Sequence, residues 1–328
     1  MTVAGKFIRV AAALILLPWP AGQVRSQQIT SGPEKGWLVL HGGGTKREWS
    51  ATQRFVDLAG GPNASIVVVL TAADPGTFTP DILEQYKAWW KSELGVADVS
   101  MVDTRSRQEA DSEVFVAPFR KATGVWILGG HLTYLLDIYL GTHTEKEIKA
   151  VAERGGVIGG SSAGAMIQGS FLINVINSGA GAPLPKSRMF LDQTRLKGFG
   201  LLPNISIYPH LSARNAERDL WEVAKRYPEI LVIGIDEFTA IVVHGDQFEV
   251  MGEGTVTVFD RAKKDYQILR RGQRFDLKKR SQIVTSSPKP TCLPRRLSAT
   301  ETAALQSEET SVLTGAQRPR LQTDRKEK

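Results

Sequence analysis

Short runs of apolar residues alternate with segments of helical spacing through the first half of the chain. The apolar runs predict buried strands, and the segments between them carry apolar residues every three or four positions, as amphipathic helices do. Strands are predicted at residues 37–40, 65–70, 99–102, 124–128 and 156–158, and helices at 47–58, 82–94, 132–140 and 144–154. This alternation predicts an α/β fold with a mostly parallel sheet covered by helices on both faces.

The second half of the chain has a different pattern. Apolar runs at 205–208 and 231–235 flank a helical segment at 212–226, for which Ser212 is a suitable N-cap. Three further short segments follow, separated by glycine-containing turns, at residues 240–243, 247–251 and 255–259. They predict antiparallel hairpin strands toward the C-terminus.

The two ends of the chain differ from the part between them. Residues 1–26 combine a positive start, an apolar run too short to span a bilayer, and small residues at the expected cleavage point. They predict a cleaved signal peptide and a periplasmic or secreted protein, with a retained membrane anchor as the alternative. Residues 281–328 are polar and basic and predict a disordered tail. The folded domain is expected at residues 36–275.

Charge and cysteine content narrow the classes of function. The net charge is +7, with much of the excess in the last sixty residues, but neither an aromatic stripe nor a zinc spacing accompanies these basic residues. We therefore expect a solvated tail and no nucleic-acid partner. Cys292 is the only cysteine, which excludes an intramolecular disulfide and leaves no thiol near a motif.

Three small-residue segments follow predicted strands and are therefore expected on one rim of the sheet, where ligands of parallel sheets bind. They are Gly42–Gly44, Gly129–Gly130 and the turn around Ser162. In that turn Gly160, Ser162 and Gly164 form G-x-S-x-G, which lifts a serine hydroxyl clear of a strand-to-helix turn. A dinucleotide site at Gly42–Gly44 is less favoured, because G-x-G-x-x-G is not completed.

A nucleophilic serine needs a base and an orienting acid. Among the five histidines, His210 ends a predicted strand on the rim of Ser162, and His131 also lies on that rim. Asp236 and Glu237 end the next strand, and such a carboxylate pair marks either a site or a turn cap.

These residues carry a resemblance to the cyanophycinase and aspartyl dipeptidase (peptidase E) family of serine peptidases. The matching segments, in order along the chain, are 159–165, 198–202, His210 with Arg214, 234–237 and 252–258. The resemblance implies a fold like that of class I glutamine amidotransferases, and it implies no metal or organic cofactor.

The resemblance also implies the roles of individual residues. Ser162 would be the nucleophile, His210 the base and Glu237 the orienting acid, with Asp192 as the alternative acid. The backbone N–H groups of Ala163 and, by family analogy, Gly130 would form the oxyanion hole.

The chain departs from the family where cyanophycin is recognised. It has His131 and Leu132 in place of an Asp-Gln pair, Tyr208 and Pro209 before the histidine, and Arg214 as the one arginine in register. These five residues are predicted to line the substrate pocket. Because several charge-assisted contacts are lost, we expect poor degradation of cyanophycin.

The sequence thus predicts a secreted or periplasmic serine peptidase that hydrolyses a peptide or isopeptide bond, for which a β-aspartyl bond is one candidate. We expect a peptide substrate and no stable membrane association after signal cleavage, and a homodimer is left open. One alternative is a catalytically idle binding protein on the same fold. An esterase is less favoured: His41 and Gly42–Gly44 resemble an oxyanion loop, but its triad order would place the acid before the histidine.

Overall fold

A computed structural model describes residues 30–44, 49–173, 197–263 and 265–284. The first half of the chain alternates between strands and helices. Its strands are β1 Trp37–His41, β2 Ser65–Val69, β3 Asp98–Val102, β4 Gly124–Ile127 and β5 Val157–Ser161. Its helices are α1 Trp49–Leu58, α2 Pro80–Ser92, α3 Arg107–Ala110, α4 Glu113–Lys121, α5 Leu132–Tyr139, α6 His143–Glu153 and α7 Ala163–Met166.

The second half contains one α-helix and eight strands within the described residues. The helix is α8 Glu217–Arg226. The strands are β6 Ile205–Pro209, β7 Leu231–Ile235, β8 Thr239–His244, β9 Gln247–Gly252, β10 Val256–Phe259, β11 Gln267–Leu269, β12 Arg274–Asp276 and β13 Ser281–Ile283.

The large sheet has nine strands in the order β13-β12-β9-β8-β1-β5-β4-β2-β3. The five strands from β1 to β3 in this order are parallel, and β8 begins an antiparallel extension beside β1. The predicted α/β fold, with a mainly parallel sheet and antiparallel strands toward the C-terminus, is confirmed.

Two hydrophobic cores cover the two faces of this sheet. Alternate residues of β1 divide between them, since Leu38 and Leu40 belong to one core and Val39 to the other. Helices α1 and α2 pack on the Val39 face through Phe55 and Trp90, and α4, α5 and α6 pack on the opposite face. The continuous apolar runs of the parallel strands reflect this burial on both sides.

A small sheet of four strands, in the order β11-β10-β7-β6, lies in the second half of the chain. Strands β6 and β7 are parallel, so His210 and Glu237 follow strands that end at the same edge. Helix α8 packs on this sheet through Leu220 and Val223, which share a core with Tyr208.

The structure differs from the predicted pattern at two turns. Residues 252–254 do not close a hairpin: they lead from β9 in the large sheet to β10 in the small one. The segment 212–226 is not one helix, because Asn215 adopts a left-handed φ of 48° and separates a 3-10 turn at 212–214 from α8. Ser212 consequently does not cap α8, whose N-cap is Ala216.

The described domain also extends further than predicted. Strand β13 pairs with β12, so the sheet continues to Ile283 beyond the predicted domain end at residue 275 and into the first residues of the predicted tail. Helices α3 and α4 fill a stretch with no predicted element. The predicted signal peptide and tail residues 285–328 lie outside the described residues. Within the described ranges, no helix is both long and apolar enough to cross a membrane.

Candidate active site

Ser162 lies in the sharp turn between β5 and α7. Its φ of 51° and ψ of −115° are rare for a residue with a side chain. A Cβ on Gly160 would lie 2.4 Å from the Gly164 oxygen, and one on Gly164 would lie 2.1 Å from the Ile127 oxygen. Only glycine fits at these two positions, so the G-x-S-x-G spacing is what allows the chain to make this turn.

His210 follows β6 and reaches Ser162 from the small sheet. Its Nε2 lies 2.8 Å from the Ser162 Oγ. The backbone holds it there, since its φ is 59° and its N–H donates to the Gly42 oxygen at 2.9 Å. Gly43 packs against the ring so closely that a Cβ would lie 2.2 Å from the imidazole Cε1. The glycine segment after β1 therefore makes room for the imidazole.

Glu237 follows β7 and lies on the other side of the imidazole. Its Oε1 is 2.7 Å from the His210 Nδ1. The next residue, Phe238, has a φ of 58° and donates its N–H to the Gly43 oxygen at 2.9 Å. Ser162, His210 and Glu237 thus form one hydrogen-bonded chain of side chains.

The adjacent carboxylate of Asp236 has a different environment. It accepts hydrogen bonds from the N–H and hydroxyl groups of both Ser212 and Thr255, at 2.6–3.1 Å. Burial raises the pKa of Asp236, but these four bonds outweigh it and leave the pKa below its usual value. Asp236 ties two loops together, so the two members of the predicted carboxylate pair are placed for different tasks.

The environment of His210 favours a neutral ring. Burial lowers its pKa, and the nearby charges of Arg214 and His41 act in the same direction. The hydrogen bond and charge of Glu237 oppose this shift without cancelling it. A neutral imidazole at pH 7 can accept the hydroxyl proton of Ser162.

The residues predicted for the oxyanion hole lie beside Ser162. Ala163 is buried and begins α7 directly after the serine. The Gly129–Gly130 segment follows β4, and a Cβ on Gly129 would lie 2.9 Å from the Ser162 Cβ. Gly130 has a φ of 136°, and a Cβ there would lie 2.1 Å from the Ala72 oxygen. Glycine at position 129 therefore lets the backbone approach the serine, and glycine at position 130 lets it pass close to Ala72.

A cavity of about 570 Å³ opens beside Ser162. One side is formed by the serine, His210 and the two glycine segments, and the other by side chains of α2 and of the end of β4. Its lining consists of Gly43, Gly44, Thr52, Ile82, Gln85, Tyr86, Trp89, Trp126, Leu128, Gly129, Gly130, Ser161, Ser162 and His210.

The five residues predicted to bind substrate lie elsewhere. The His131 Nε2 lies 2.8 Å from the Asp74 Oδ1, and Leu132 packs against the core of the large sheet. Tyr208 belongs to the core beneath α8, because its side chain lies on the face of β6 that packs against this helix. Pro209 is buried, and the Arg214 guanidinium lies 5.7 Å from the Tyr208 ring centre. None of the five lines this cavity.

The residues that form the cavity wall were missed by sequence reasoning. Ile82, Tyr86 and Trp89 are spaced i, i+4 and i+7 on α2, which indicates an apolar face that extends beyond the part buried at Trp90. The alternative acid Asp192 lies outside the described residues. Within the described ranges, no group of three His, Cys, Asp or Glu side chains could hold a metal ion.

Known proteins with similar sequences are cyanophycinases. The cyanophycinase of Geminocystis herdmanii is 31% identical over 216 residues, covering 65% of this chain and 76% of that protein. The cyanophycinase of Synechococcus elongatus is 28% identical over 240 residues, covering 70% of each.

A solved structure and a family profile complete the comparison. A peptidase from an acI-B1 Actinobacterium superimposes with a TM-score of 0.57 at 23% identity, over 75% of this chain and 98% of that one, and this likeness shows the fold. The profile of peptidase family S51 matches residues 38–251. The chain therefore belongs to peptidase family S51 and is a serine-type peptidase.

Proposed function

We propose that this chain hydrolyses a peptide or isopeptide bond with Ser162 as nucleophile, His210 as general base and Glu237 as the orienting acid. The observation that carries the proposal is the hydrogen-bonded chain from Glu237 through His210 to Ser162, with links of 2.7 and 2.8 Å. A base hydrogen-bonded to the nucleophile and oriented by a third group is the arrangement that activates a serine.

The reaction follows from this geometry. The His210 Nε2 takes the proton of the Ser162 hydroxyl as Oγ attacks the carbonyl carbon. The N–H groups of Ala163 and Gly130 then stabilise the oxyanion. The protonated imidazole gives its proton to the departing amine, which leaves an acyl group on Ser162. His210 next deprotonates a water molecule, whose attack releases the acid and restores the serine.

Glu237 has two tasks in this scheme. It accepts a hydrogen bond from the Nδ1–H group of His210, which holds the ring in the tautomer whose Nε2 can receive the serine proton. Its negative charge also stabilises the imidazolium that forms during attack. Asp236 is not available for either task, because Ser212 and Thr255 already occupy its oxygens.

The kind of bond and the location are part of the proposal. A β-aspartyl isopeptide bond is a candidate because similar proteins are cyanophycinases. We expect cyanophycin itself to be a poor substrate, since none of the described residues that line the cavity is Asp, Glu, Lys or Arg. The signal-like residues 1–26 support export to the periplasm or beyond.

Peptide hydrolysis by purified protein tests the proposal. β-Aspartyl dipeptides, ordinary dipeptides and cyanophycin are each incubated with the wild type and with Ser162→Ala, and the released amines are quantified. We expect release from some peptides by the wild type, little from cyanophycin, and none with the variant. Equal rates for wild type and Ser162→Ala would contradict the assignment of the nucleophile.

A further inference from the structure

Helix α2 has one broad apolar face, and only part of it is buried in the core. Trp90 is fully buried and packs on the large sheet. Ile82, Tyr86 and Trp89 lie along one edge of this face and line the cavity beside Ser162, while Tyr86 and Trp89 also pack against the core that contains Trp90. Ile82 is 45% exposed, one of few large apolar side chains in the described structure with so much surface in water. An exposed apolar face at the mouth of a cavity marks a binding surface.

The aromatic residues of this wall are held in place by one another. Tyr86 and Trp89 stack with ring centres 5.9 Å apart and planes 1° from parallel. Both rings also pack edge to face against Trp90. Trp90 in turn packs edge to face against Trp126 at the base of the cavity. Ring pairs of this kind prefer fixed geometries. The wall is therefore preformed, and a ligand would not have to order it on binding.

The wall has little charge to offer a substrate. Among the lining residues that the structure describes, none is Asp, Glu, Lys or Arg, and the polar side chains away from the serine turn and His210 are Thr52 and Gln85. A charged side chain placed here would lose its hydration and would find no ionic partner among these described residues, which is unfavourable. An uncharged apolar side chain would instead replace water against Trp89 and Tyr86.

The position of the wall indicates which part of a substrate it meets. His210, which gives its proton to the leaving amine, comes from the small sheet. The aromatic wall comes from α2 and β4, on the side of the Gly129–Gly130 segment. The acyl half of a peptide stays bonded to Ser162 while the amine leaves past His210. The side chain of the acyl half is therefore the one that lies beside the wall.

We propose that this aromatic wall is the specificity pocket of the enzyme and accepts a large uncharged apolar side chain, such as that of phenylalanine or leucine, on the acyl side of the cleaved bond. This inference rests on the proposed role of Ser162 as nucleophile. It favours an ordinary peptide bond over the β-aspartyl candidate, because recognition of an aspartyl or arginyl residue on the acyl side would need a charged partner in the pocket.

Phosphonate probes test the pocket directly. Diphenyl phosphonates that carry the side chain of phenylalanine, leucine, aspartate or arginine place that side chain on the acyl side when the serine oxygen displaces phenoxide. Labelling rates are measured by mass spectrometry of the intact protein. Each rate is divided by the labelling rate of a small fluorophosphonate that carries no amino-acid side chain. We expect the phenylalanine and leucine probes to react at least about tenfold faster than the charged probes.

Variants of the wall show whether these residues set the preference. Trp89→Ala and Tyr86→Ala should each reduce the ratio of phenylalanine to fluorophosphonate labelling by about tenfold. Tyr266→Ala is the matched control. Tyr266 is a partly exposed aromatic residue in the loop between β10 and β11, and it does not line the cavity. Its ratio should stay at the wild-type value. Gln85→Arg, at an exposed position of α2, should raise the relative rate of the aspartate probe.

The outcomes separate this inference from the proposed function. If the fluorophosphonate fails to label Ser162, the proposed function is wrong. If it labels Ser162 but the four side-chain probes react equally, or the aspartate or arginine probe is fastest, the pocket assignment is overturned while the nucleophile stands. A wild-type preference that survives in both Trp89→Ala and Tyr86→Ala would likewise overturn it.

Discussion

The two sides of the cleft around Ser162 are built in different ways. On the side of the small sheet, His210 and the segment after Glu237 are fixed by backbone hydrogen bonds, positive φ angles and glycines that leave no room for a Cβ. On the side of α2, the wall consists of partly exposed side chains on one face of a regular helix. The first side tolerates almost no change in shape, whereas the second can change its side chains without moving the backbone.

This difference separates chemistry from selectivity. Substitutions on the first side should reduce turnover for every substrate, because they displace the reacting groups. Substitutions on the second side should change which substrate is preferred.

The largest effect is expected for Ser162→Ala, which removes the nucleophile. Turnover should fall by about 10⁴–10⁶-fold while the fold is kept, as measured by peptide hydrolysis and circular dichroism. Ser161→Ala is the matched control, because the Ser161 hydroxyl faces His41 at 3.4 Å and not His210. Loss of activity in Ser161→Ala with full activity in Ser162→Ala would reverse the assignment.

Glu237→Gln should have the next largest effect. It removes the charge that stabilises the imidazolium and the acceptor that fixes the tautomer, so kcat should fall by about 10²–10⁴-fold. Asp236→Asn weakens the tie between two loops and should lower thermal stability more than kcat. Should kcat survive in Glu237→Gln, the acid would have to come from another residue, for which Asp192 is the candidate.

Gly43→Ala tests the close packing behind the imidazole. The new Cβ would lie 2.2–2.5 Å from atoms of the His210 ring, so the ring must move. A displacement of this size in a reacting group should reduce kcat by about 10²-fold. Gly76→Ala is the control, because Gly76 has a similar φ of 83° but nothing within 4 Å of the added carbon. Equal losses in the two variants would attribute the effect to backbone strain alone.

The smallest expected effect is a shift in pH dependence. Because burial lowers the pKa of His210, the acid limb of kcat/KM should lie below the usual histidine pKa of about 6.5. Arg214→Ala removes a cation that disfavours the protonated ring, so the pKa should rise and the limb should move to higher pH. Arg214→Lys should keep the limb near its original position. A limb that moves to lower pH in Arg214→Ala would contradict this account of the site.

The constrained side of the cleft could be predicted from sequence, and the adaptable side could not. Ser162, His210 and Glu237 each follow an apolar strand run, and the spacing of glycines around Ser162 has a steric cause visible in the sequence. Strand ends that share an edge bring such residues together. The resemblance to known peptidases then supplied the order of the three residues.

The cavity wall could not be predicted because α2 uses one apolar face in two ways. The spacing of apolar residues predicts that face, but nothing in the local sequence shows that Ile82, Tyr86 and Trp89 at its edge line a cleft. Tyr208 is predicted to line the pocket because it stands where the resembled family has a substrate-binding residue, whereas its side chain packs in the core with α8. Strand β10 joins the small sheet instead of forming a hairpin with β9. Its place likewise depends on pairing with β7, which is a tertiary contact.

Mapping the adduct of a small fluorophosphonate shows directly whether Ser162 is the nucleophile. The wild-type protein is treated with the reagent, digested and analysed by mass spectrometry, with Glu237→Gln and Ser162→Ala treated in parallel. We expect one phosphonylated residue, Ser162, labelled fast in the wild type, slowly in Glu237→Gln and not at all in Ser162→Ala. An unlabelled wild-type protein, or an adduct on any other serine, would contradict this assignment.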